Sequence, residues 1–187
     1  MERVEKILGF WFGAGDTARR DPRVWFAADA AFDQACTAGF LADHERAAAG
    51  DLDDWQAAPR STLALILLLD QFPRNMFRGT ARAFATDWKA LAVAQHAIAR
   101  GFDHALTAIE RVFVYLPFEH SENLDSQHEA VRLFRQLADQ DPALSGYLEY
   151  AEQHMDIVRR FGRFPHRNAA LGRTSTSEES AFIASGV

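Results

Sequence analysis

Cysteine is almost missing from this sequence. Cys36 stands alone in 187 residues, so no disulfide can close within the chain, and the composition fits a reducing cytoplasm. Nothing around Cys36 marks a thiol nucleophile, and its expected role is that of a small core residue. Lysine is nearly as scarce: of 20 basic residues only Lys6 and Lys89 are lysine, and the rest are arginine. Long apolar runs are missing too. The longest aliphatic stretch, Leu63 to Leu69, is far short of the roughly 20 residues that cross a bilayer. Met1 to Phe12 alternates charged and apolar side chains and carries no cleavage signal. A membrane role is not expected. Excess positive charge is lacking as well: the net charge is −6, which argues against a general binder of nucleic acid, because phosphate backbones attract net positive surface. Glycine-rich phosphate loops, dinucleotide fingerprints and nucleophile elbows are absent. So is the alternation of β-branched residues that marks strands.

What is present is helix-forming material with enough apolar content, 48%, to build a globular core. Alanine, leucine and arginine dominate, and all favour helix. The expectation is an all-α fold of about eight helices with no sheet, as a bundle or a short solenoid, in a single helical domain over residues 1–187. A first helix is expected from about Val4 to Phe12, with Val4, Ile7, Leu8 and Trp11 on one stripe and Gly13 and Gly15 ending it. Asp21-Pro22 reads as a cap followed by proline at the first helical position. The segment from there to Ala49 buries Trp25, Phe26, Phe32, Phe40 and Leu41, breaks near Asp29, and is closed by Gly50. Pro59 to about Gln71 is apolar on every face from Leu63 to Leu69, so it must be buried all round; that puts Asp70 beside the core. A long helix should follow from Ala81 to Arg100, stopped by Gly101. Thr107-Ala108-Ile109-Glu110 is a capping box opening a helix that ends before Pro117. Ser121 caps the next, which runs to about Asp139 with Leu124, Val131, Phe134 and Leu137 inward. Asp141-Pro142 opens another to Phe161, with Gly162 beyond it. Ser175-Thr176-Ser177-Glu178 offers a last capping box. No clean 34-residue period runs through the chain.

Two distant segments share an unusual tag: Asp70-Gln71-Phe72-Pro73-Arg74-Asn75-Met76-Phe77-Arg78 and Arg163-Phe164-Pro165-His166-Arg167-Asn168. A third, Leu116-Pro117-Phe118-Glu119-His120-Ser121-Glu122, has the same build with acids in place of arginines. Proline stiffens each loop, the phenylalanines anchor it, and the charges are thereby aimed. Three helix ends of this kind point to one preorganised polar site. Arg74, Arg78, Arg163 and Arg167 would grip a phosphate or carboxylate by their forks, with Asn75, Asn168 and Glu122 beside them. His120, or else His166, would move protons, oriented by Glu119 or Asp70. His120 with His166 or His154 is a weak metal set, since no ligand spacing supports one; no metal ligand is assigned, and nothing in the sequence names a cofactor. His44, His96, His104 and His128 read as surface residues.

The motifs also match a known family. Phe10-Trp11-Phe12-Gly13, Leu65 through Asn75, Phe77-Arg78-Gly79-Thr80 and Ala83-Phe84-Ala85-Thr86-Asp87 carry the match, together with Tyr115 through Glu122, Arg160 through Asn168 and Leu171-Gly172-Arg173. On these the chain resembles the bacterial family called domain of unknown function 924. The resemblance implies an all-helical, tetratricopeptide-like fold. It brings no activity, cofactor or partner with it.

Three functional readings stand side by side. The tags line one pocket for a small anionic ligand, with hydrolase-like chemistry; or a concave helical surface binds a peptide or protein partner; or the arginines pair internally with Asp70, Asp87, Glu119 and Glu122 and the tags form a structural polar core.

Overall fold

In the computed structural model, the described residues are 1–13, 25 and 29–186. Among them are eight α-helices and no strand, so the fold is all-α. Contacts gather the chain into two compact units, one of Met1–Arg78 with Arg82–Leu106 and one of Gly79–Ala81 with Thr107–Val187. Among the described residues no helix is long and apolar enough to cross a membrane.

The first unit holds α1 (Glu2–Phe12), α2 (Ala30–Ala49), α3 (Pro59–Met76) and α4 (Asp87–Ala99), with 3₁₀ turns at Asp53–Ala57 and Phe102–Ala105. Helix α3 is the central element that its apolar composition demands. Every residue from Leu63 to Leu69 is fully buried, under α1, α2, α4 and both turns. Each such leucine stabilises the fold by roughly 1.5–3 kcal/mol. Val4, Ile7, Leu8 and Trp11 form the buried stripe of α1, as their spacing requires. Asp29 is the cap of α2, its side chain accepting from the backbone of Ala31 and Phe32, and Gly50 closes that helix in left-handed conformation at φ 97°. Cys36 is a buried core residue. Gly15, the Asp21-Pro22 cap and Phe26 lie outside the described residues.

Two helix boundaries change here, and the placement of one histidine with them. The sequence reading stops α3 near Gln71 because Pro73 follows, yet the helix continues to Met76 with Pro73 inside it. Proline supplies no N–H, and its ring crowds the carbonyl four residues back. That carbonyl belongs to Leu69, and it accepts a hydrogen bond from the Thr86 hydroxyl at 2.5 Å. The adjacent Leu68 carbonyl meets His44 Nδ1 at 2.9 Å. Side chains from outside α3 thus satisfy the backbone that proline disturbs. His44 is therefore buried, with 5% exposure, not a surface residue. The second change is that the expected 81–100 helix is a 3₁₀ turn at Ala81–Phe84 followed by α4 from Asp87; Gly101 ends it as expected, at φ 66°.

The second unit holds α5 (Ala108–Glu119), α6 (Leu124–Gln140), α7 (Ser145–Phe161) and α8 (Ser177–Ala184), with 3₁₀ turns at Pro142–Leu144 and Pro165–Arg167. Helix α6 packs on both α5 and α7, and Phe113, Tyr115, Phe134 and Phe164 fill the core. The Thr107–Glu110 capping box forms as read from sequence. Helix α5, however, passes through Pro117 to Glu119. Asn123 rather than Ser121 caps α6, accepting from Ser126 N–H at 3.1 Å, and Leu124 at its start is 40% exposed instead of inward. Asp141 caps the 3₁₀ turn, and α7 begins only at Ser145. The last capping box is Thr176 with Glu179, one residue beyond the expected pair.

Candidate active site

The first tag lies in the first unit, and its charges have partners there. Arg74 donates Nη1 and Nη2 to the two carboxylate oxygens of Asp87 at 2.9 and 3.0 Å. Its Nη1 also donates to the Asp70 carbonyl at 2.6 Å and stands 3.4 Å from Asp70 Oδ1. Asp70 is fully buried and accepts from Gln71 Nε2 at 2.5 Å. Arg78 grips Asp33 with Nε and Nη2, both at 2.9 Å, and reaches Asn75 Oδ1 at 3.2 Å. Asn75 turns its amide back to the Gln71 carbonyl at 3.1 Å. Two bidentate arginine–carboxylate pairs and a capped helix end make this tag a rigid corner.

The other two tags lie in the second unit and meet there. Glu122, just past the end of α5, accepts the Phe164 N–H at 2.8 Å and both Nη groups of Arg173 at 2.8 and 3.0 Å. Arg173 in turn donates to the Phe164 carbonyl at 3.1 Å. The Glu122–Arg173 pair thus holds both backbone groups of Phe164. Burial alone would push the Glu122 carboxyl upward, but the Arg173 fork and the Phe164 N–H outweigh it and hold it below the usual carboxylate range. Gln127, fully buried on α6, donates Nε2 to the carbonyls of Glu119 and Ser121, both at 2.6 Å. It clamps the backbone on either side of His120. Arg163 binds Glu179 on α8, and Asn168 donates Nδ2 to Ser175 Oγ at 3.0 Å.

The Phe164 ring is the hub of the cluster. His154, on α7, meets it edge-on at 5.3 Å. His166 lies against it at 5.5 Å, and the Arg167 guanidinium sits over it at 4.4 Å, within the range of a cation–π contact. Glu119, buried at the end of α5, brings Oε1 to 3.3 Å from His154 Nδ1. The same nitrogen is 2.9 Å from the Tyr150 carbonyl one turn back. Both neighbours are acceptors, so Nδ1 carries the proton and Nε2 keeps its lone pair. Burial pushes the His154 imidazole down to about 4, against the Tyr150 carbonyl, and the nearby charges of His120, His166 and Arg167 push the same way. The side chain is still 25% exposed. A neutral imidazole with its tautomer fixed by a carboxylate and a carbonyl has the chemistry of an oriented base. Among the described residues no three of His, Cys, Asp or Glu are placed to hold a metal ion.

The model of a bacterial family of unknown function, DUF924, matches residues 7–187. The chain belongs to this family. A solved structure of a protein of unknown function from Agrobacterium tumefaciens is similar, with a TM-score of 0.87 and 46% identity over 97% of each chain. No curated protein matches. Membership therefore agrees with the all-α fold and leaves the chemistry to the side chains.

Of the residues singled out from sequence, the second unit brings Glu119, His120, His166 and Arg167 around His154, with Glu122 holding Phe164. The sequence reading has Glu119 or Asp70 orient His120 or His166; Glu119 also reaches His154, at 3.3 Å. His154 has no motif around it. Its signal is three-dimensional: a helix face, one turn beyond Tyr150, turned toward the tags. Gln127 and Glu179 were also missed as members of the network, since Gln127 acts on backbone and Glu179 on an arginine from a distant point in the chain.

Proposed function

We propose that the second unit holds a small anion beside Arg167 and that His154 moves a proton in the reaction on it. The observation that carries this reading is the state of His154: neutral, partly open, Nδ1–H fixed by Tyr150 and Glu119, with the lone pair on Nε2. Arg167 supplies the positive charge, on a guanidinium fixed over Phe164. Glu119 and Glu122 offset Arg167 and Arg173 in charge, so an added anion is balanced by a proton taken up on an imidazole. The reaction class that fits is hydrolysis of a small anionic substrate, His154 giving the proton it takes up with the anion to the leaving group and so returning to the neutral base that accepts a proton from the attacking water. In this reading His120 and His166 donate to the bound anion.

The first tag supports a different role. Arg74 and Arg78 are committed to Asp87, Asp70 and Asp33, and this corner reads as a polar lock that fixes the end of the central helix.

Calorimetric titration with inorganic phosphate and with acetate, in buffers of different ionisation enthalpy, tests the proposal. Wild type should bind with proton uptake, more tightly as pH falls. His154→Asn should lose the proton uptake, and Arg167→Lys should weaken binding about tenfold or more by losing the planar fork. Binding that is absent for both anions in the wild type, or unchanged in both variants, would sink the reading.

A further inference from the structure

Both ends of the segment that carries Phe164, His166 and Arg167 are tied to one carboxylate. Arg163, just before it, donates Nε to Glu179 Oε1 at 2.6 Å and Nη2 to Oε2 at 2.8 Å. Asn168, just after it, donates Nδ2 to the same Oε2 at 3.4 Å. Glu179 is buried in the first turn of α8, where Oε2 also accepts the Thr176 N–H at 2.7 Å. The other anchors of α8 are weaker: an exposed Arg160–Glu178 pair and a ring contact of Phe161 with Phe182 at 5.0 Å. An isolated helix shorter than about 12 residues is marginal in water, and α8 has 8. It holds its shape only while docked.

We infer that α8 is a latch on the His154 group, and that Glu179 is the positioning residue through which its docking sets anion affinity. The inference rests on the functional reading above. Docked, α8 packs on the Pro165–Arg167 turn and keeps Phe164 against His154 with Arg167 over the ring. Undocked, Arg163 and Asn168 lose their common partner; Glu122 and Arg173 still hold the Phe164 backbone, but the turn beyond it is free to carry His166 and Arg167 away from His154. Local opening of a short, lightly anchored helix needs less free energy than global unfolding, so release of α8 lowers anion affinity while the rest of the chain stays folded.

The test uses the full chain with Glu179→Gln, which keeps size and an acceptor for Thr176 N–H but removes the charge opposite Arg163. Arg163→Lys is the second variant, and its readouts decide if Glu179→Gln does not fold. Side-chain NMR of His154 across pH and calorimetric titration with inorganic phosphate are compared with wild type. The inference expects the His154 midpoint to rise by about one pH unit and phosphate affinity to fall about tenfold. Unfolding of the first unit, followed by Trp11, Trp25, Trp55 and Trp88, should be unchanged. A variant that lowers the melting temperature yet leaves the His154 titration unmoved overturns the latch. Wild type that binds no phosphate overturns the functional reading instead, and the His154 titration still decides the latch.

Discussion

Replacing His154 with asparagine should remove a pH dependence of stability that the wild type carries. The native imidazole titrates at about 4, against an ordinary value of 6.5. Between those two values the unfolded chain binds a proton that the native state refuses, so stability falls as the pH drops from 6.5 toward 4 and is level above 6.5. The full difference is about 3 kcal/mol at 1.36 kcal/mol for each pH unit. Between pH 7.5 and 4.5 about 2.5 kcal/mol of it is expressed. Asparagine keeps an N–H donor near the position of Nδ1 for Tyr150 and Glu119, so the packing change is small. Buried His44, which burial also pushes down despite its bond to the Leu68 carbonyl, has the same sign but is present in both proteins and cancels. The assay is urea unfolding at several pH values. It is followed by far-UV circular dichroism for the whole chain and by tryptophan fluorescence for the first unit, which holds all four tryptophans. The variant should lose less stability than wild type by about 2.5 kcal/mol over that pH range, in the dichroism signal and not in the fluorescence. Equal pH dependence in the two proteins would refute the assignment of a suppressed His154 titration.

Three further predictions test the frame around the site. Thr86→Val strands the Leu69 carbonyl and should destabilise the first unit by about 1–3 kcal/mol; the loss should shrink when Pro73→Ala restores the missing N–H, a double-mutant cycle read by tryptophan fluorescence. Arg74→Ala removes the Arg74 contacts to buried Asp70 and to Asp87 and should cost about 3 kcal/mol by the same measurement, with no effect on phosphate binding. Glu122→Gln weakens the hold on Phe164 and Arg173; because the native carboxyl titrates below its ordinary range, its contribution is present above pH 4.5 and lost as the pH falls below it, so the variant's acid unfolding limb should be flatter there.

Much of the fold is legible in the sequence, for identifiable reasons. The run from Leu63 to Leu69 has no polar face, which leaves burial as the only solution for α3, and the Thr107–Glu110 box encodes a helix start in a single local pattern. Pro73 and Pro117 mislead because a helix continues through proline when the freed carbonyl finds another donor. For Leu69 that donor is Thr86, a partner that no local pattern reveals. The site is legible in part. The tags are found by their odd mixture of aromatic, proline and charge, and the bland expectation that buried Asp70 needs an arginine for itself matches its contact with Arg74. His154 was not singled out as the base because nothing next to it in sequence is unusual. Its tautomer is set by Glu119, on a different helix, and by a carbonyl that every helix has.

The proposed anion site requires His154 to be a neutral imidazole with a fixed tautomer. Nitrogen-detected NMR of its imidazole tests this most directly. At pH 7 the account predicts a proton on Nδ1, a bare Nε2, a titration midpoint near 4, and a rise of that midpoint when inorganic phosphate is added. A proton on Nε2, or a midpoint near 6.5 that phosphate does not move, would contradict it.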